Sequence, residues 1–353
     1  MARPRRTRER IAAAPTSVAA VVGAVPAAAG REPFLVASAA ELERAAGSAE
    51  GETADAVRLF FENGGTHAWV VGLDESRPRR SLDLLEDLDF NLLVVPATAR
   101  LGRATSLAVD AALLAGRRRA FYLVDPPADR TAATVVRWAR SFGGGRNAAV
   151  YFPRLRVRGR AGEREVAAAG AVAGLIARAD RERGVWKASG EQESLRGIVG
   201  PALDVPEDAS AALADAGVNA IRRPASGPAR ITSGRTREES DRDWKYVSVR
   251  RFALFVEESV EQGTRWTVFE PNDERLWAQV RAAVRTFLRG LLAQGAFPAS
   301  RAADAFVVRC DRTTTTEDDI AAGRVVVQVG VAPLRPAEFV TVRIGLQARC
   351  PDG

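Results

Sequence analysis

The sequence predicts an α+β protein with an α/β layer in its middle. Between Leu88 and Phe152, continuous apolar runs alternate with helical periods, the pattern of a parallel sheet covered on both faces. From Glu274 to about Gly295 runs one long amphipathic helix. The chain then closes on two β-branched strands, 325–331 and 338–346, with little between them except Pro333 and Pro336.

Taken in order, residues 1–13 form a basic arm, with Arg3, Arg5, Arg6, Arg8 and Arg10 against Glu9. A solvated tail, a nucleic-acid contact and an arm laid on a neighbouring subunit all fit it. Strands are expected over 17–22 and 34–36, and helices over 39–46 and 54–61. Asn63-Gly64-Gly65 then supplies the positive-φ positions of a helix-to-strand turn into 67–73. Phosphate loops run the other way, strand to helix, so this turn is not read as a phosphate cradle.

In the middle layer the spacing predicts strands over 90–95, 120–124 and 148–152, with helices over 104–115 and 128–141. Ligands of such sheets favour the loops after the strand ends. Asp125 is the acid found there, without an evident base partner, and an enzyme built on this layer is a second class of reading. Residues 154–164 suggest an exposed hairpin, 166–179 an alanine-rich helix and 209–216 a short helix. A Pro/Gly/Arg-rich segment over 222–243 marks a boundary. The expected divisions are 1–13, 14–80, 81–240 and 241–353.

The last block opens on a strand-like Trp244–Val249 and a helix over 251–261. In the long helix Asn272 is the expected cap, with Asp273 and Glu274 in the first turn, where the dipole favours anions. Leu276, Val280, Ala283, Val284, Phe287, Leu288 and Leu291 form its core stripe. Arg281, Arg285 and Arg289 repeat at i, i+4. Like charges so placed cost an isolated helix about 0.2–0.5 kcal/mol per pair, so the ridge is either a solvated face or is matched to an acidic partner surface. The closing strands present edges that invite a strand from another chain. Val325, Val327, Val329, Phe339, Thr341 and Arg343 are the candidates for such pairing.

Composition narrows the function. Hydrophobic residues make up 46% of the 353 and charged residues 27%, as in folded soluble proteins. No run approaches the ~18 apolar residues of a membrane span, and no export signal is read, which leaves the cytoplasm as the default. One histidine, His67, and two cysteines, Cys310 and Cys350, leave little room for triads, zinc sites or a disulfide framework. A His67–Cys310 pair is formally open, but a free cysteine usually behaves as a small buried hydrophobe. The net charge of +7 rests almost wholly on arginine, the only lysines being Lys187 and Lys245. Arginine suits carboxylates and phosphates alike, so an acidic partner is implied without its kind.

The C-terminal block also carries an ordered series of motifs. They are Trp244-Lys245-Tyr246-Val247, Phe255-Val256-Glu257-Glu258-Ser259, Trp266-Thr267-Val268-Phe269-Glu270-Pro271-Asn272-Asp273, Arg309-Cys310-Asp311-Arg312-Thr313-Thr314, Asp318-Asp319-Ile320 and Gly330-Val331-Ala332-Pro333. Upstream stand Pro15-Thr16-Ser17-Val18, Phe60-Phe61-Glu62-Asn63-Gly64-Gly65, Gly170-Ala171-Val172-Ala173-Gly174 and Gly184-Val185-Trp186-Lys187-Ala188. With these the chain resembles the tail sheath proteins of contractile phages and phage-tail-like injection systems. Its short length is most similar to the compact sheaths of extracellular contractile injection systems. Where the family often has Pro-Pro-Ser-Gly, this chain has Ala167-Ala168-Ala169-Gly170. Where the family tends to begin with a Pro-Gly-Val-Tyr-type strand, it has the arginine arm.

The resemblance implies the tail-sheath fold and a structural subunit without enzyme activity, cofactor or metal. Such subunits polymerise as stacked hexameric rings around an inner tube and contract. Baseplate and tail-terminator proteins are the further partners implied, and membrane insertion is not. Assembly would be cytoplasmic, within a phage tail or a particle later released. Arg281, Arg285 and Arg289 would then face the tube or a neighbouring subunit. A specialised or non-contractile sheath paralogue stays open, and so, less favoured, does a basic nucleic-acid-binding protein.

Overall fold

The computed structural model describes residues 10–26, 32–47, 50–96, 104–159, 162–190 and 193–349. Arg3, Arg5, Arg6 and Arg8 of the basic arm lie outside these, as does Cys350. The chain divides into two compact units, one of Pro15–Arg251, the other of Phe252 onward with the segment ending at Ala14.

The first unit is built on strands β1 (Ala19–Gly23), β2 (Phe34–Val36), β3 (Ala68–Gly72), β4 (Leu92–Val94), β5 (Phe121–Val124), β6 (Ala148–Phe152), β7 (Leu155–Gly159), β8 (Gly162–Val166), β9 (Gly200–Pro201), β10 (Val218–Arg222) and β11 (Arg230–Ile231). Its helices are α1 (Ala39–Ala46), α2 (Glu52–Asn63), α3 (Pro78–Asp83), α4 (Ala104–Arg117), α5 (Ala132–Phe142), α6 (Ala169–Arg183) and α7 (Glu207–Asp215). An eight-stranded sheet runs β11-β10-β6-β5-β4-β1-β3-β2, parallel from β10 to β3 with antiparallel strands at both edges. β1, β5 and β6 are buried at every residue. That is why they read as unbroken apolar runs rather than alternating ones. Leu93, Leu107, Tyr122, Trp138, Phe142 and Phe152 fill one core of the layer. β10 and α3 carry no strong sequence signal and were not expected.

The glycine turn after α2 is a helix cap. Gly64 sits at φ 119°, and the Asn63 side chain is buried, donating to the carbonyls of Leu59 (2.9 Å) and Arg196 (3.0 Å). α2 and α6 pack with their backbones nearly touching. A Cβ on Gly170 would lie 2.3 Å from the Ala56 carbonyl oxygen, and one on Gly174 would lie 2.2 Å from that of Phe60.

Asp125 is spent on structure. Its Oδ1 accepts the N–H groups of Ala168 (2.7 Å) and Ala169 (3.0 Å), while Glu52 Oε2 accepts that of Ala167 (3.0 Å). The alanines at the start of α6 cannot cap it, so two remote carboxylates do so. Burial pushes the Asp125 carboxyl up to about 7, against the lowering effect of those N–H groups and of Arg154. Elsewhere Arg251 grips Asp180 with two hydrogen bonds of 2.8 and 2.6 Å, both side chains 5% exposed.

Trp244–Val249 is not a strand. A 3-10 turn, Arg242–Trp244, is capped by Asp241, and helix α8 (Val247–Gly263) begins after two intervening residues. Its β-branched start misleads, yet Val249, Phe252, Ala253, Val256 and Val260 recur at helical spacing and are all buried. The guanidinium groups of Arg146 and Arg250 lie over the Trp244 ring, 5.4 and 4.8 Å from its centre.

The second unit contains most of α8, α9 (Glu274–Ala293), α10 (Ala302–Ala305), β12 (Phe306–Arg309), α11 (Glu317–Ala321), β13 (Arg324–Val331) and β14 (Val340–Gln347). The cap of α9 is Asp273, which accepts the Leu276 N–H at 2.8 Å, and not Asn272. Asn272 instead accepts from Trp277 Nε1 and donates to the Arg324 carbonyl. α9 buries Leu276, Val280, Val284, Phe287, Leu288 and Leu291, together with Trp277, while Ala283 is half-buried. Gly295 at φ 79° ends it. Residues 10–14 belong to the same core, with Ile11 buried and Ala14 N–H donating to Ser259 Oγ at 3.0 Å.

Candidate assembly interface in the C-terminal sheet

β12, β13 and β14 form an antiparallel sheet in that order. β12 was not expected from the sequence, although Phe306-Val307-Val308 carries the right residue types. Its presence places β13 in the middle. Val325, Val327 and Val329 are fully buried there, and β13 has a partner on each side within the chain. It is therefore β14, and not β13, that has an outer side.

Ladder parity fixes what that side offers. The Ala348 N–H bonds the Gly323 carbonyl, so Val340, Val342, Ile344 and Leu346 turn their backbone groups to β13. The N–H and C=O groups of Thr341, Arg343, Gly345 and Gln347 then point away. At Gln347 the carbonyl is taken by the Thr267 hydroxyl (2.6 Å), and further on Arg349 N–H bonds the Glu270 carbonyl (3.0 Å). Among the described residues no strand covers Thr341, Arg343 and Gly345. Side chains alternate in step. The even positions of β14 are buried and the odd ones exposed. Phe339 precedes β14 and is half-buried, with its Cβ placed about a van der Waals contact from where a Cβ on Gly330 would be. Phe269 is 70% exposed in the 3-10 turn Arg265–Phe269, next to the Thr267 that covers Gln347.

The opposite side of the sheet is different. Ala332 N–H bonds the Ala305 carbonyl, so Phe306, Val308 and Cys310 turn outward from β12. Arg281 donates to the Cys310 carbonyl, and Arg285 donates to that of Val308 at 3.4 Å. Arg281 is half-buried, and Arg285 and Arg289 are exposed. The ridge on α9 is thus only in part a free basic face. Beyond the end of β12, the Thr315 hydroxyl accepts the Val326 N–H at 3.0 Å.

Cys310 is buried, and burial pushes its thiol up to about 12, so it is no nucleophile at neutral pH. His67 is exposed in the other unit. Among the described residues no group of acids, histidines or cysteines is placed to hold a metal, and no helix is long and apolar enough to cross a membrane.

Comparison with known proteins agrees with this architecture. The model of the phage tail sheath protein central domain matches residues 74–236, and that of the phage tail sheath C-terminal domain matches 239–347. A protein of Pseudomonas aeruginosa (strain UCBPP-PA14), named as a prophage major tail sheath protein, is 29% identical over 291 residues, 78% of this chain and 72% of that one. Among solved structures, the sheath complex of the extracellular contractile injection system PVC in its contracted state is 26% identical. Its TM-score is 0.79, with 97% of this chain and 95% of that one covered. The contracted helical sheath of the anti-feeding prophage is 27% identical, with a TM-score of 0.79 and coverages of 97% and 96%. A sheath tail protein of Listeria innocua, 10% identical, shares the fold with a TM-score of 0.71 and 96% of both chains covered. With both family domains matched in order and the fold shared over 97% of the chain, the chain belongs to the phage tail sheath family and is a structural sheath protein.

Proposed function

We propose that this protein is the subunit of a contractile sheath, polymerising as stacked hexameric rings around an inner tube and shortening to drive the tube through a target envelope. The single observation that carries this reading is the likeness, over 97% of the chain, to two sheaths solved in the contracted state. In this reading an inner tube protein, a baseplate and a tail terminator are its partners. It assembles in the cytoplasm and leaves as part of a phage tail or a released particle. In this reading the work comes from the assembled lattice.

Copies join through backbone pairing at β14. The N–H and C=O groups of Thr341, Arg343 and Gly345 accept a strand from a neighbour, which extends the sheet by one. Arg289, the exposed far end of the α9 ridge, faces the tube or an adjacent copy. Negative-stain electron microscopy of the purified protein tests the reading: striated tubes or cogwheel-like rings are expected. A monodisperse monomer at concentrations where sheaths polymerise would refute it, and unchanged assembly by Arg289→Glu would remove Arg289 from the interface.

A further inference from the structure

We propose that Arg281 and Arg285 hold the β12 edge shut, so that a second copy of this chain can add its strand only at β14. This rests on strand addition being the way copies join. An exposed edge is a template for any extended segment, and a three-stranded sheet has two edges. Here one is left open over Thr341, Arg343 and Gly345, while the other has guanidinium groups on the outward carbonyls of Val308 and Cys310.

The spacing of the ridge follows from this. One step of four residues along a helix advances about 6 Å, and the outward groups of a strand repeat every two residues, about 6.8 Å. Arg281 meets Cys310 and Arg285 meets Val308, so α9 runs antiparallel to β12 with the two repeats nearly in step. The next members of the two series are Arg289 and Phe306. A strict i, i+4 run of like charges, unfavourable for the helix itself, is what this edge requires. Arginine is suited to the task, since its charge is permanent and its planar head carries several donors. A neutral strand arriving at β12 would have to displace charge-assisted bonds.

The test compares polymers of four variants. Arg281→Ala/Arg285→Ala is expected to stay folded by circular dichroism but to form irregular aggregates beside, or in place of, sheath polymers. Adding Thr341→Pro, which blocks β14, should leave those aggregates in place, because the second edge is now open. Adding Val308→Pro instead, which removes an outward N–H of β12 while sparing its ladder to β13, should abolish them. Aggregation absent from Arg281→Ala/Arg285→Ala/Thr341→Pro, or indifferent to Val308→Pro, would overturn the proposal. Where the double change unfolds the protein, Arg285→Ala alone, whose side chain is exposed, takes its place. Failure of the underlying reading looks different: Thr341→Pro in the otherwise native chain would polymerise like the wild type.

Discussion

Thr341 and Val342 are neighbours on β14, and proline at the two positions should have opposite consequences. The N–H of Val342 bonds β13 and its side chain is buried, whereas the N–H of Thr341 points outward and its side chain is exposed. Proline at 342 removes a ladder bond from the chain's own sheet and strands its acceptor on β13, which should cost about 1–3 kcal/mol, seen as a lowered unfolding midpoint of the purified chain. Proline at 341 should leave that midpoint nearly unchanged, since an edge strand tolerates proline where its N–H faces solvent. Its effect falls on assembly. Each outward N–H or C=O paired with a neighbour contributes about 0.5–1.5 kcal/mol, and losing one partner strands the other at about 1–3 kcal/mol. Each joint should then weaken about 5- to 150-fold. Since a sheath repeats the joint at every subunit, long polymers should vanish from sedimentation profiles and micrographs. The reasoning fails if folded Thr341→Pro polymerises at wild-type concentrations, or if Val342→Pro is as stable as the wild type.

Three further outcomes concern the first unit. Asp180→Ala leaves the Arg251 guanidinium buried without its carboxylate and should cost about 3–5 kcal/mol; a midpoint shift in urea worth under about 1 kcal/mol would show the pair to be dispensable. Gly174→Ala puts a methyl 2.2 Å from the Phe60 carbonyl oxygen, so about 1–3 kcal/mol of overpacking is expected, read by thermal unfolding. The Asp125 carboxyl is raised from 3.8 to about 7, so between those pH values the folded chain holds a proton that the unfolded chain has lost. Stability therefore falls as pH rises from about 4 to 7, and Asp125→Asn should remove that slope. Parallel melting curves for the two proteins across this window would contradict the assignment.

The sequence shows strongly what is buried on both faces and poorly what is decided by partners. β5 and β6 stand out because nothing polar interrupts them, and α9 because its apolar stripe keeps one period for about four turns. β12 does not: four residues with Val307 and Arg309 exposed resemble a loop until β13 lies beside them. Its absence from the reading made β13 look like an edge. The start of α8 misled for a related reason, since β-branched residues at 247 and 249 suit a strand locally and only the contacts of Phe252 and Val256 decide for helix. Arg281 and Arg285 were legible as an anomaly, a charge pattern that no isolated helix favours. Their partners were not, because a carbonyl oxygen has no letter in the sequence.

The meeting of α2 and α6 has a mechanical consequence. Helices kept apart by side chains can shift past one another by rotamer exchange, as packed layers do when they shear. Gly170 and Gly174 leave no such layer, and the carbonyls of Ala56 and Phe60 occupy the space that side chains would need. Close-packed matter of this kind yields little before it breaks. Force arriving at this seam should be passed on without being absorbed, so that slack in an assembly of these chains must come from the joints between them.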